Sequence, residues 1–452
     1  MISTPLQLYE DISPSFSPLI PPNERSHHIL VIGGGVIGLT TAWALLDAGH
    51  HVTILAKEWA SWTEAQRLTS QIAGALWEYP PAACGQHTDK ISLQHSKPWA
   101  MASYHIWRQL EGTLIGGKKS GIRMRPTDFF FPRPLEESPE DLQKMNELMK
   151  SGVRGFCRKS SLVEKRRVDP LYGCKDAYEI LSPVIDTDVA MEWLMELVKA
   201  KGAILVTEEL QADLLFIEDS LRHRFGVDAI VNCAGLASDK LAGDDSCYPI
   251  RGAMIRVIND GKDFPKVEAA LVITADVAVN NEMVFIVPRN NDVLYLGGIA
   301  QPGKSDLNLT IHDAVIKRMR SNCEAFLPDL KNARYDAKYP LALGLRPFRG
   351  KNIRVERELR HTPAGKISRI VHSYGHGGAG WSLAFGCAGD VRHLLQEAVK
   401  DQPPEPMREL EYPGQGNGVV IRDPNMQPET GIKDVGGIDT KSQSTDEHKS
   451  KL

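Results

Sequence analysis

The sharpest hydrophobic pattern lies near the start of the chain. His28-Ile29-Leu30-Val31-Ile32 is a short apolar run with β-branched residues, closed at once by glycines, and predicts a buried parallel strand. Residues 39–46 carry a helical pattern that stops at Gly49, and residues 51–55 predict a second strand. Farther on, residues 228–231 read as an apolar strand closed by small residues. Residues 254–257, 271–274, 283–287 and 293–296 read as a β-rich middle. Helical patterns cover 141–150, 188–201 and, late in the chain, 383–395. Together these predict a mixed α/β fold, with no internal repeat and no sustained heptad.

Composition narrows the class. At 452 residues the chain is long enough for two or three domains and a large core. Lys and Arg total 53 against 57 Asp and Glu, a formal net charge of −4 that argues against coating nucleic acid or anionic lipid. The seven cysteines are scattered without a C-x-x-C pair, so reduced thiols are expected, with no disulfide framework and no metal site. The most apolar stretch, 29–46, is interrupted by four glycines and is too short to span a bilayer comfortably. Residues 1–27 are proline-rich and lack a secretory pattern, so they read as a flexible or surface-hugging arm. After Lys400 the composition turns to Pro, Gly, Asp, Lys and Ser, which predicts a disordered tail over 401–452. The tail ends Ser450-Lys451-Leu452, the address read by the peroxisomal import receptor.

The glycines after the first strand carry chemistry. Gly33, Gly35 and Gly38 form G-x-G-x-x-G inside a strand–helix–strand unit. The first permits the tight turn, the second lets a pyrophosphate approach the backbone, and the third lets helix and strand pack closely. The pyrophosphate would then sit on free N–H groups at the helix N-terminus. Glu58, twenty residues after Gly38, stands where a ribose-binding acid is expected, slightly late. A flavin is favoured over a nicotinamide because small-residue segments return late in the chain, at Asn232-Cys-Ala-Gly235 and at Gly375 to Gly380. The helix after that second segment would aim its N–H groups at a reduced, anionic ring.

At these residues the chain resembles the D-amino-acid oxidase family of FAD enzymes, which includes D-aspartate oxidases. The resemblance covers roughly 28–396. It rests on His372-Ser-Tyr-Gly-His-Gly-Gly-Ala-Gly380 with Gly386-Cys-Ala388, on Thr69 to Trp77, on Arg251-Gly252, and on Gly344-Leu-Arg-Pro-Phe-Arg349. It implies FAD contacts from Gly33, Gly35, Val36, Ile37 and Gly38, from Lys57 and Glu58, and from Thr69, Ser70, Gln71, Ala73 and Gly74. It adds Leu210 and Ala234, then Gly377, Gly378, Gly380, Trp381 and Ser382 around the ring. The catalytic candidates it implies are Arg346, matching the arginine that clamps the substrate carboxylate, and the loop glycine Gly378. A planar guanidinium suits that task because it gives a carboxylate two parallel bonds. Arg349 and Arg354 read as structural or surface-paired. His372 and His376 read as loop-packing residues, because hydride transfer from a neutral amine requires no protein base.

Two positions depart from the family. Phe285 and Asn281 stand where it usually carries tyrosines, which puts the substrate in doubt more than the chemistry. The expected architecture is a Rossmann-type FAD domain built from 28–90, 180–245 and 345–400. A mixed α+β substrate domain, 91–179 with 246–344, would line the pocket with its sheet. The expected function is oxidative deamination of D-amino acids, with an amino acid, molecular oxygen and the import receptor as partners and a homodimer left open. The alternatives are oxidation of a secondary amine or an N-methyl or modified amino acid, or a flavin-binding protein without oxidase activity.

Overall fold

The structure, a computed structural model, describes residues 4–61, 68–82, 89–273 and 282–410. The opening unit forms as the strand His28–Ile32, the helix Val36–Asp47 and the strand His51–Ala56. The helix is apolar all round and buried all round, so its neighbours hold it on every side. Six strands make the smaller sheet, ordered Arg354–Arg357, Ile370–Tyr374, Ala229–Asn232, His28–Ile32, His51–Ala56 and Ile204–Thr207. All its pairings are parallel except the Arg354–Arg357 edge. The helix Gly380–Val399 packs on this layer and Lys90–Gln109 crosses that helix with almost no gap: a Cβ added at Gly386 would lie 2.2 Å from the Trp99 backbone.

The larger sheet carries the long strands Ile122–Phe131, Asp176–Ile185, Cys247–Ile258 and Leu341–Arg349, with Ala270–Ile273, Glu282–Pro288 and Val293–Ile299 between them. Cys247–Ile258 pairs antiparallel with Leu341–Arg349 along nine positions, Ile250 opposite Arg346 and Gly252 opposite Gly344. Two expected boundaries therefore move. Asp176–Ile185 and Leu341–Arg349 lie wholly in the larger sheet, so cuts at 180 and 345 divide strands that hydrogen bonding keeps whole.

Both ends depart from the flexibility that composition predicts. In the arm, Leu6, Leu8 and Ile12 are buried in the core. The arm also closes over a buried ion pair, Lys201 Nζ to Asp47 Oδ1 at 2.6 Å. Its backbone supplies Ser13 N–H (2.7 Å) and Leu19 N–H (3.0 Å) to the Asp47 carboxylate. Asp47 ends its helix at the negative pole of the dipole, so those donors and the ammonium offset an unfavourable placement. At the other end, residues 401–410 are docked: His95 meets the Arg408 carbonyl at 2.8 Å, and Gln94 accepts from Leu410 N–H at 3.0 Å. The remainder of the predicted tail, with Ser450-Lys451-Leu452, lies outside the described residues, as do Asn281 and Cys84. The other six cysteines are free thiols.

Candidate functional site

A cavity of about 540 Å³ draws its walls from both sheets. One end is bounded by Lys57, Glu58, Glu208, Glu209 and Leu210, beyond the carboxyl ends of the parallel strands. The wall then follows Gly33, Gly35, Val36 and Ile37, Ala234, and the segment Thr69, Ser70, Ala73 and Gly74. It continues past Gly377, Gly378, Gly380, Trp381 and Ser382 to Arg346 and Phe285. The crevice outside strand ends in an open α/β sheet is where such folds bind nucleotides.

Two glycines make the turn possible. Gly33 has φ +121°, and a Cβ there would lie 2.3 Å from the Cys233 carbonyl oxygen. A Cβ on Gly38 would lie 1.9 Å from the Gly33 oxygen, so Gly38 is a packing contact behind the loop and not part of the cavity wall. The Ser70 hydroxyl accepts a bond from Val36 N–H at 3.0 Å, which brings a side chain to the helix N-terminus. Gln71 departs from its expected role. Its side chain is buried and turned away, donating to the Ser61 carbonyl (2.8 Å) and to Asp188 Oδ1 (2.9 Å), and thereby fixing the segment that carries Thr69 and Ser70.

The late loop is held by buried polar groups. His372 places Nε2 3.2 Å from Glu358 and Nδ1 3.3 Å from the Asn232 amide. Burial, and then the Arg354 charge, push its pKa down to about 4 despite Glu358. Burial alone pushes His376 down to about 3. His376 lines the cavity, and its Nε2 has no hydrogen-bond partner among the described residues. The Tyr374 hydroxyl donates to Asp244 (2.8 Å) and accepts from Arg354 (2.8 Å), and Arg349 Nε reaches the same Asp244 at 2.5 Å. Arg349 and Arg354 are thus part of the frame under the loop. Trp381 packs against Trp107 and donates Nε1–H to the Ser70 carbonyl at 2.9 Å, tying the two cavity walls together.

Arg346 is half-buried and faces the cavity. Its Nη1 donates to the Ile299 carbonyl at 2.9 Å, and among the described residues no carboxylate lies within ion-pair distance. Gly252 makes the room: a Cβ there would lie 2.5 Å from Nη1 and 2.8 Å from Nη2. The Phe285 ring edge lies against Gly74, whose added Cβ would fall 2.5 Å from Cε1. Further wall residues are Ile72, within the Thr69–Trp77 motif, and Met254, Val272, Met283, Glu78 and Leu307. Met254, Val272 and Met283 lie on strands that the apolar pattern found. Glu78, which accepts from Lys144 Nζ at 2.8 Å, and Leu307 carry no local signal.

The walls fit a flavin dinucleotide: an acid beside the open end, a turn that only glycine allows, a helix N-terminus, and a late glycine loop with a buried imidazole facing inward. Comparison with known proteins agrees. The D-amino-acid oxidase of Rubrobacter xylanophilus is 28% identical over 374 residues, covering 82% of this chain and 96% of that protein. The human D-aspartate oxidase is 27% identical over 376 residues, 82% of this chain and 95% of its own. Among solved structures, glycine oxidase from Bacillus cereus superposes with a TM-score of 0.60 at 16% identity, over 85% of this chain and all of that one. L-proline dehydrogenase from P. horikoshii does so at 0.60 and 14%, over 84% and 94%. These two likenesses are of fold. The profile of the family described as DAO, FAD dependent oxidoreductase, matches residues 28–394, a span that holds every described wall of the cavity. The chain belongs to that family and is an FAD-dependent oxidoreductase.

Proposed function

We propose that this protein oxidatively deaminates D-amino acids. The observation that carries the reading is Arg346, a cavity-facing guanidinium that meets no carboxylate among the described residues, in the same cavity wall as Gly377, Gly378 and Ser382. Two parallel bonds from such a fork fix a substrate carboxylate in orientation as well as charge. The Ile299 carbonyl holds the fork, in the room that Gly252 leaves, before substrate arrives, so little ordering remains to be done on binding.

FAD held by these walls would accept a hydride and pass its two electrons to dioxygen, which with two protons becomes hydrogen peroxide. The residues present do the rest by position. The amine enters uncharged; the Cα hydrogen leaves with both bonding electrons as the hydride that bound FAD would accept, the nitrogen lone pair forms the C=N bond, and the resulting iminium gives one N–H proton to water. The imino acid then hydrolyses to a keto acid and ammonia. His372 and His376 are neutral imidazoles at neutral pH and serve as frame, not as base. Phe285, Met254 and Ile72 keep water from the wall near Arg346. The preference for the D enantiomer is supported by sequence relatives named for D-amino acids. The tail Ser450-Lys451-Leu452 supports a peroxisomal address through the import receptor.

Phe285 favours a second reading, oxidation of a secondary amine such as an N-methyl amino acid, because it leaves an apolar wall where a hydroxyl would meet polar substrate atoms. Peroxide release from a panel of D-amino acids, L-amino acids and N-methyl amino acids separates the two. Turnover confined to D-amino acids supports the first reading. Turnover of N-methyl substrates alone supports the second, and peroxide from none refutes both.

A further inference from the structure

Leu307 is unusual among the cavity residues. It lies outside any helix or strand, is 49% exposed, and still forms part of the wall. Its position follows from Arg251, one of the motif residues that the reaction leaves unused. Arg251 is 6% exposed, donates Nε–H to Gln301 Oε1 at 2.9 Å, and turns Nη1 to Asp306. There Nη1 meets the backbone oxygen at 3.1 Å and pairs with the carboxylate. A buried guanidinium held by Gln301 is a rigid anchor, so the residue after Asp306 is held as well. The anchor sits beside the carboxylate clamp: Arg251 pairs across the strands with Leu345, and its neighbour Ile250 pairs with Arg346.

We propose that Leu307 is a specificity-determining residue for the substrate side chain, and that Arg251 and Asp306 are the positioning residues that hold it over the cavity. The inference rests on the reading of Arg346 as carboxylate clamp. The apolar wall open to the side chain of a substrate whose carboxylate is on Arg346 includes Ile72, Met254, Val272, Met283 and Phe285, and Leu307 is its half-exposed member. Half of Leu307 is in water, so a long apolar side chain gains by covering it and a short one does not. Each apolar CH₂ taken out of water strengthens binding by about fourfold.

The test uses the FAD-loaded full chain and the unreactive series propanoate, pentanoate and heptanoate, with Kd read from the perturbed absorbance of the bound flavin. Affinity is expected to rise along the series. Leu307→Ala is expected to weaken heptanoate by about tenfold, pentanoate by less and propanoate least. Asp306→Ala should reproduce that dependence on length, and Asp306→Asn should recover part of it because its amide oxygen still accepts from Arg251. A purely structural role would weaken every member equally. An equal loss, no loss, a flat series in the unaltered protein, or no binding of any member overturns the proposal. The two readings fail separately. Length-dependent binding with no oxidation of any D-amino acid supports Leu307 and refutes the deamination. Oxidation of D-amino acids with a flat series does the reverse.

Discussion

Lys201→Met is expected to destabilise the protein through the arm, although neither Lys201 nor its partner Asp47 lines the cavity. Lys201 Nζ lies 2.6 Å from Asp47 Oδ1 and 3.0 Å from the Ser17 carbonyl, and neither charged side chain has exposed surface. Removing the ammonium leaves the Asp47 carboxylate buried with neutral donors only: Ser13 N–H, Leu19 N–H and Trp43 Nε1–H at 2.8 Å. Breaking a buried pair from one side costs about 3–5 kcal/mol, and three remaining donors put this case near ~3 kcal/mol. The same substitution in a chain lacking the first 20 residues should cost under ~1 kcal/mol, because water then reaches Asp47 as at a surface pair. Urea unfolding of the FAD-loaded proteins, followed by tryptophan fluorescence, gives both differences. An equal cost with and without the arm, or a cost below ~1 kcal/mol in the full chain, would refute the argument that the arm seals the pair.

Arg346→Ala should lower kcat/KM for carboxylate substrates by about 100- to 1,000-fold with FAD still bound, and Arg346→Lys should recover only part, as steady-state kinetics will show. Gly252→Ala should raise KM about tenfold by pushing aside the Arg346 fork, while a thermal melt stays close to the parent's, because the clash is with a side-chain end. The histidines predict acid sensitivity. With native pKa values near 4 and 3 and an ordinary value of 6.5, His372 and His376 take up protons on unfolding, so stability is full above pH 6.5 and falls as pH drops toward 4. The pair contributes a slope of about 2–3 kcal/mol per pH unit between pH 6 and 4, and His376→Gln should remove about half of it, read as the difference between urea titrations of the two proteins.

Local pattern was enough where a segment's structure depends on its own residues. The strand His28–Ile32 has the bounds that its apolar run predicts, and the glycine loop turns where Gly33 requires it. The late helix begins at Gly380, three residues before its apolar pattern, because the loop glycines continue into its first turn. What stayed hidden depends on distant partners. Leu341–Arg349 contains two arginines and a proline that weaken a strand pattern, and its pairing with Cys247–Ile258 supplies what propensity does not. The proline-rich arm reads as flexible or surface-hugging because nothing nearby shows that Leu6, Leu8 and Ile12 have a groove to fill. Gln71 sits in a cofactor-like motif, and the Ser61 carbonyl together with Asp188, on a later helix, decides which way it turns. Leu307 is placed by a strand some fifty residues earlier through Arg251 and Asp306.

The proposed deamination requires the cavity to present an Arg346-bound D-amino acid to bound FAD. Its most direct test is anaerobic mixing of the FAD-loaded protein with D- or L-norvaline, following the yellow colour of the oxidised flavin. The D enantiomer should bleach the colour and the L enantiomer should leave it, with Arg346→Ala losing the bleaching while keeping the colour. Bleaching by both enantiomers alike, by neither, or undiminished in Arg346→Ala would contradict the account.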